Sequence, residues 1–176
     1  EFLKKCTDNN EIELIREFIN IKGHENIKFE LADRKDDVME LLKKCIENNR
    51  AEIINLVLEF TGEIELGELL FKTCEKGFIE SADVLIQNGA NVNYVTKYDE
   101  IPLNGACLSG NIELVKRLLE LGADIDNKVA ERNGTTPQRP IYSAIYSNSI
   151  EIVKLLIDRN ADVNLTTNGD TILMWT

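Results

Sequence analysis

Apolar residues recur at helical spacing along most of the chain. In the clearest stretch they fall at i, i+1, i+4 and i+5, which places them on one side of a helix and turns the charged residues between them toward solvent. A shorter apolar stretch at 103–109 comes before it. The pattern predicts two consecutive helices, each of which needs a partner for its apolar side. The residues of the clearest stretch are Leu114, Val115, Leu118 and Leu119.

The position between the two helices holds a glycine or an asparagine each time the pattern recurs. Both residues tolerate the left-handed backbone that ends a helix in a tight turn. A glutamate follows within the first turn of the next helix, where the helix dipole favours negative charge. We therefore predict five pairs of antiparallel helices. The turn positions are Asn10, Asn49, Gly77, Gly110 and Asn148.

The spacing of the glutamates defines a repeat. They lie at positions 13, 52, 80, 113 and 151, which gives steps of 39, 28, 33 and 38 residues. A helix pair repeated at such a period cannot bury its apolar sides alone, and stacked pairs build a solenoid. We predict a single domain over 1–176. Its approximate units are 1–38, 39–66, 67–98, 99–136 and 137–168, with a truncated sixth at 169–176.

Short motifs recur in the later units. Residues 89–93, 122–126 and 160–164 read Gly-Ala-Asn-Val-Asn, Gly-Ala-Asp-Ile-Asp and Asn-Ala-Asp-Val-Asn, and we call them the exit phrases. Residues 101–106 read Ile-Pro-Leu-Asn-Gly-Ala, and 110–119 read Gly-Asn-Ile-Glu-Leu-Val-Lys-Arg-Leu-Leu. These motifs resemble those of the ankyrin repeat family. The resemblance implies an all-α, ankyrin-like solenoid of stacked antiparallel helix pairs with hairpin-like loops.

The resemblance covers residues 65–164 and departs from the family in its opening motif. That motif has a Thr and a His that hydrogen-bond the turn between repeats. Here the Thr place holds Ile101 and Arg139. The His place holds Asn104 and Tyr142. We expect weaker local order at these places.

Few residues could carry chemistry. His24 is the only histidine and lies in a polar stretch without a patterned Ser or Cys partner, which indicates an exposed loop residue. The cysteines occupy corresponding places in the first helices without Cys-x-x-Cys spacing, so we interpret them as small core residues. We predict a chain that is not an enzyme and holds no metal or cofactor, while residue counts leave a hydrolytic carboxylate pair open. The cysteines are Cys6, Cys45, Cys74 and Cys107.

Charge narrows the class of partner. With 20 Lys and Arg against 31 Asp and Glu the net charge is −11, which disfavours binding to nucleic acid. Residues 1–88 carry −8 and residues 89–176 carry −3, so we expect a partner protein whose basic patch docks toward the N-terminal repeats. No apolar stretch has the length of a membrane span, and no signal peptide begins the chain. We expect a monomer in the cytoplasm of its own cell or of a host cell.

The resemblance implies a function as well as a fold. Proteins of this family grip other proteins in a concave groove formed by loop tips and by the outward ends of the first helices, so we expect a non-catalytic protein-protein interaction module. Tyr98, Leu108 and Tyr146 are predicted to be its exposed anchors. The predicted loop-tip residues are Lys97, Tyr98, Glu100, Thr135, Thr136 and Gln138, and the helix-end residues are Glu75, Lys76, Leu108, Ser109, Tyr146 and Ser147.

Unequal steps predict an uneven groove. The step of 38 adds residues near 128–134 and predicts a protrusion near Asn133. The step of 28 removes the loop after Phe60 and predicts a shallow groove at 62–65.

A second function stays open. The repeats could form the regulatory or targeting region of a larger enzyme or assembly whose catalytic part lies elsewhere. Residues 166–176 resemble the start of a sixth unit, so we expect the natural protein to continue beyond Thr176. Some members of the family are hydroxylated at the Asn that closes the exit phrase, and Asn93 and Asn164 match that place.

Overall fold

The computed structural model describes residues 12–128 and 138–164, and within these ranges the chain is built from helices without any strand. The predicted all-α solenoid is confirmed. No helix in these ranges combines the length and the apolar character needed to cross a bilayer. The helices are α1 (Ile12–Lys22), α2 (His24–Leu31), α3 (Lys35–Glu47), α4 (Ala51–Leu58), α5 (Gly67–Glu75), α6 (Ile79–Gln87), α7 (Pro102–Ser109), α8 (Ile112–Glu120), α9 (Pro140–Tyr146) and α10 (Ile150–Asp158).

The helices from α3 onward form two layers. Helix α3 packs on α4, α5 on α6, α7 on α8 and α9 on α10, and each pair is one repeat of the solenoid. The first helices of the pairs, α3, α5, α7 and α9, also pack on one another in sequence. The stack therefore buries a continuous core, in which Leu69, Leu118 and Leu156 are fully buried.

The predicted tight turns are confirmed wherever the structure describes them. Asn49, Gly77, Gly110 and Asn148 have φ values of 49°, 71°, 72° and 55°, which are left-handed. The fifth position, Asn10, lies outside the described residues. A glycine or asparagine is used because a side chain with a branched Cβ is strained in this conformation.

The cysteines of the first helices lie in the core, as predicted. Cys45, Cys74 and Cys107 are free thiols with at most 1% of their surface exposed, and Cys6 lies outside the described residues. Burial raises the pKa of the Cys45 thiol to about 11 and raises those of Cys74 and Cys107 further. These thiols therefore stay protonated and act as small apolar side chains.

The first helices approach each other most closely where α7 crosses α5. A Cβ built on Gly105 would lie 2.9 Å from the Glu75 backbone nitrogen and 3.0 Å from the Phe71 carbonyl oxygen. Both neighbours are backbone atoms of α5, so the absence of a side chain at Gly105 sets the distance between the two helices.

Side chains of the exit phrases join neighbouring repeats. The Asn93 side chain donates to the Gly122 carbonyl at 3.0 Å and accepts the Asp124 N–H at 2.7 Å. One repeat further, Asp126 accepts the Asp162 N–H at 2.9 Å. Asn93 and Asp126, which close their phrases, therefore each tie the next phrase in place.

The prediction of a polar loop around His24 is wrong. His24 begins α2, whose Ile27 and Leu31 are four residues apart and are both buried, while Gly23, with φ 82°, separates α2 from α1. His24 itself is exposed, and its ring centroid lies 5.0 Å from that of Phe60. The residues are helical because the apolar pair packs on the core, which the polar composition of the stretch concealed.

We predicted weaker local order at Asn104 because the His that bonds the turn in the family is absent there. This reason is wrong for Asn104. Asn104 is fully buried, accepts the Ile101 N–H at 3.0 Å and donates to the Gln138 carbonyl at 2.9 Å. The amide therefore makes the bonds to the turn and to the next repeat. At the Thr place, Ile101 is fully buried, and Arg139 donates to the Asp126 carbonyl.

Gly122→Val is expected to lower the free energy of unfolding by about 1–2 kcal/mol. Gly122 has a φ of 86° and no neighbour within 4 Å of an added Cβ, so the cost is backbone strain alone. The measurement is urea denaturation followed by circular dichroism. Gly122→Asn is the control, because Asn160 adopts a φ of 64° at the corresponding place in the next exit phrase, and equal losses for the two variants would contradict the strain argument.

Candidate functional site

A tight hairpin-like loop presents the first two predicted binding residues. Thr96 is buried; its hydroxyl accepts the Tyr98 N–H at 3.2 Å and the Glu100 N–H at 3.3 Å, and its own N–H donates to the Glu100 carbonyl at 2.9 Å. The loop tip is thereby held outward. Tyr98 is 70% exposed, and the Lys97 ammonium lies 4.8 Å from the centre of its ring.

Glu100, in this loop, lies within electrostatic range of helix α5. Its side chain is half-buried, and burial, followed by the negative charges of Glu75 and Glu68, raises its pKa. The structure thus brings together two predicted binding residues, Glu100 and Glu75, from different repeats. Sequence reasoning missed Glu68, which lies two helical turns before Glu75 on the same helix.

A groove between α3 and α5 contains Glu75 and Lys76. Its volume is about 340 Å³, and its floor is formed by Ile46 and Leu69. The charged residues of the groove are three lysines and two glutamates, so its charge is mixed although the chain as a whole is acidic. They are Lys43, Glu47, Lys72, Glu75 and Lys76.

Two of these lysines were not among the predicted binding residues. Lys43 and Lys72 lie one helical turn before Glu47 and Lys76, so they belong to the same side of their helices. Helical spacing from the predicted helix ends could have identified them. The groove therefore extends further along α3 and α5 than the helix ends alone.

At the end of α9, Tyr146 is 83% exposed, as predicted. The neighbouring Ser147 hydroxyl is half-buried and donates to the Cys107 carbonyl at 2.9 Å, which ties α9 to α7. On α7, the prediction that Leu108 is an exposed anchor is wrong, because Leu108 is half-buried. Tyr146 is thus the exposed aromatic at this end of the described chain.

The remaining predicted residues have structural bonds or cannot be placed. Ser109 donates to the Ala106 carbonyl at 2.8 Å and accepts the Asn111 N–H at 3.2 Å, so it caps the turn after α7. Gln138 is half-buried, and its carbonyl accepts the bond from Asn104. Thr135, Thr136 and the predicted protrusion near Asn133 lie outside the described residues.

Glu75→Gln is expected to lower the pKa of Glu100 toward its ordinary value, because it removes one of the two negative neighbours. NMR titration of the Glu100 side-chain carboxyl carbon measures this change. A raised carboxyl pKa means that the folded state binds the proton more tightly than the unfolded chain does. The contribution of Glu100 therefore favours folding below the ordinary pKa and is lost as the pH rises through the folded value.

The control for this titration is Glu113→Gln on α8, where Glu113 is bonded to Lys116 instead. It should leave the titration of Glu100 unchanged. A Glu100 titration that is the same in wild type and Glu75→Gln would contradict the assigned cause.

The described residues, 12–128 and 138–164, were also predicted to hold no metal. In these ranges no three His, Cys, Asp or Glu residues are grouped so that they could hold a metal ion. The polar surface described above consists of exposed side chains on helices and loop tips.

Comparison with known proteins identifies the repeat. The family model described as ankyrin repeats (3 copies) matches residues 42–129, and the model described as ankyrin repeats (many copies) matches residues 105–157. The chain belongs to the ankyrin repeat family. Ankyrin repeats are generally protein-protein interaction modules, and the family is generally non-catalytic.

Individual ankyrin repeat proteins are similar over shorter segments. The ankyrin repeat-containing protein YIL001W of Saccharomyces cerevisiae is 44% identical over 59 residues, which is 34% of this chain and 12% of the yeast protein. Ankyrin repeat and SOCS box protein 11 of Homo sapiens and of Pongo abelii is 31% identical over 65 residues, or 37% of this chain and 20% of those proteins. The matched part of the chain thus spans a fifth or less of these curated relatives.

Proposed function

We propose that this ankyrin repeat chain binds a partner protein on the face formed by the loop tip at Lys97 and Tyr98, the α3–α5 groove and the end of α9. The observation that carries the proposal is the exposure of two tyrosines, 70% for Tyr98 and 83% for Tyr146. Tyrosine is enriched among residues that dominate binding energy, because it contributes a large contact area with little loss of side-chain entropy.

The charged residues around the tyrosines refine the partner. Burial and then the negative charges of Glu75 and Glu68 raise the pKa of Glu100, which supports a negative potential in this part of the face; Glu68 also pairs with Lys72 at 3.9 Å. We propose that the basic patch of the partner binds to these carboxylates. The three lysines of the α3–α5 groove limit the negative region to this cluster. Such an interface should weaken as the salt concentration rises.

The binding experiment compares wild type with Tyr98→Ala combined with Tyr146→Ala. Affinity capture at physiological salt from a lysate of the source organism should retain a protein with wild type and lose it with the double variant, with a loss of at least about tenfold in affinity. Both side chains are exposed, so circular dichroism should report an unchanged fold.

Phe29→Ala is the matched control, since Phe29 is an aromatic residue on α2 and is 86% exposed. It should bind like wild type. Capture of the same proteins by all three chains would contradict the assignment of the binding face. Capture that is insensitive to salt would contradict the electrostatic part alone.

The second candidate function is that of a regulatory or targeting region within a larger protein. It is favoured by the small share of the relatives that the match covers, 12% and 20%, and by the vertebrate relative's name, which sets a SOCS box beside the ankyrin repeats. The three free cysteines of the core suit the reducing cytoplasm, where we place the protein. Sequencing the complete reading frame tests this candidate, because a frame that encodes nothing besides ankyrin repeats would contradict it.

A further inference from the structure

The bonding between exit phrases is interrupted at one junction. Counted from the repeating glutamates, residues 61–65 in the second repeat correspond to residues 89–93 in the third. The residue at the place of Asn93 is Glu65, and its carboxylate accepts the N–H of Gly67, the first residue of α5, at 2.8 Å. It is therefore committed to the start of α5 and does not bond the next exit phrase.

This leaves two backbone groups of the third repeat without the bonds that their counterparts receive. Asn93 bonds the Gly122 carbonyl and the Asp124 N–H, and the corresponding groups one repeat earlier are the Gly89 carbonyl and the Asn91 N–H. In the described ranges no residue donates to the Gly89 carbonyl or accepts the Asn91 N–H, and both residues are exposed to solvent. We call this pair of groups the 89/91 site.

The chain is also unusually short at this junction. Eight residues, 59–66, connect α4 to α5, whereas fourteen residues, 88–101, connect α6 to α7. A cavity of about 380 Å³ lies between this short connection and Gly89. A second cavity of about 450 Å³ lies on the side of α2 and α3. The two share Thr61, Gly62 and Ile64 in their walls, and the second is lined by the buried apolar side chains of Leu31, Val38 and Phe60.

The bonds that Asn93 makes to the next exit phrase indicate which chemical group would bind at the 89/91 site. The site offers one acceptor and one donor, so a group that both donates and accepts satisfies it completely. A carboxamide does both, as Asn93 does, whereas an ionised carboxylate only accepts, as Asp126 does toward Asp162. Glu63 in the wall of the first cavity disfavours a carboxylate further.

We propose that a partner protein binds at this junction by inserting an asparagine or glutamine side chain at the 89/91 site and an apolar side chain into the neighbouring 450 Å³ cavity. The carboxamide donates to the Gly89 carbonyl and accepts the Asn91 N–H, which copies the bonds that Asn93 makes one repeat later. This site shares no residue with the tyrosine-bearing face, so it can be tested separately.

The test uses NMR of the isotope-labelled chain with an acetylated, amidated peptide that copies residues 89–94, Gly-Ala-Asn-Val-Asn-Tyr. The peptide should shift the Asn91 amide signal saturably and slow its hydrogen exchange. The amides of Asp124 and Asp162 should not respond, because their acceptors are already in place. The same peptide with Asn93→Leu should bind about tenfold more weakly, since both hydrogen bonds are lost.

Two variants at Gly62 test whether the peptide binds at this junction. A Cβ on Gly62 meets nothing within 4 Å, and Gly62 is not in the left-handed region, so substitution there preserves the fold. Gly62→Trp should abolish the shift of Asn91 by filling the entrance to both cavities, and Gly62→Ala should retain it. The proposal is overturned by the absence of a saturable shift, by an equal response to the two peptides, or by an unchanged response in Gly62→Trp.

Discussion

Gly105→Val is expected to lower the free energy of unfolding by about 3 kcal/mol. The added Cβ would meet the backbone of α5 at 2.9 Å and 3.0 Å, and backbone atoms cannot move aside as a flexible side chain can. Helices α5 and α7 must therefore separate, which opens the packing on both sides of the central repeats. Urea denaturation followed by circular dichroism measures the loss.

The control for this variant is Gly62→Val. Gly62 lies in a connection where an added Cβ meets nothing within 4 Å, so its substitution should change stability by no more than about 0.5 kcal/mol. A Gly105→Val chain as stable as Gly62→Val would show that α5 and α7 do not depend on their close approach.

The second large effect is expected for Asn104→Ala, which should also cost about 3 kcal/mol. The substitution leaves the buried Ile101 N–H without its acceptor and removes one of the two amide donors of the Gln138 carbonyl, the other being Asn127. An unmade bond at a buried group costs its full desolvation, which is more than a made bond contributes. Thermal unfolding by calorimetry measures the loss.

Asn88→Ala is the control, because it removes a side-chain hydrogen bond at an exposed residue and not at a buried one. Asn88 is exposed, and its side chain donates to the Val84 carbonyl at 2.9 Å. Because water can replace this bond, its removal should cost no more than about 0.5 kcal/mol. If Asn104→Ala and Asn88→Ala were equally stable, the bonds of Asn104 would not hold the fourth and fifth repeats together.

The repeat architecture could be predicted from the sequence because its signals are local. The helix pairs follow from apolar spacing, and the turns at Gly77 and Gly110 follow from the tolerance of glycine for positive φ. Exposure of Tyr98 and Tyr146 was also predictable, since each lies at the end of an element whose apolar side is elsewhere. Each of these inferences needs only the residues within one repeat.

The tertiary structure decided which residues of neighbouring repeats meet. Leu108 is half-buried, and Asn104 bonds Gln138 of the following repeat, a contact that no single repeat determines. The bonding of Glu65 is also decided by the tertiary structure. Glu65 occupies the place of Asn93, but it lies in a shortened connection and accepts the Gly67 N–H. Sequence alone thus determined the repeated helix pair, because backbone preference and apolar spacing act over a few residues. Contacts between repeats determined which of the predicted binding residues are exposed and where the bonds between exit phrases are interrupted, because these contacts depend on distances across the stack.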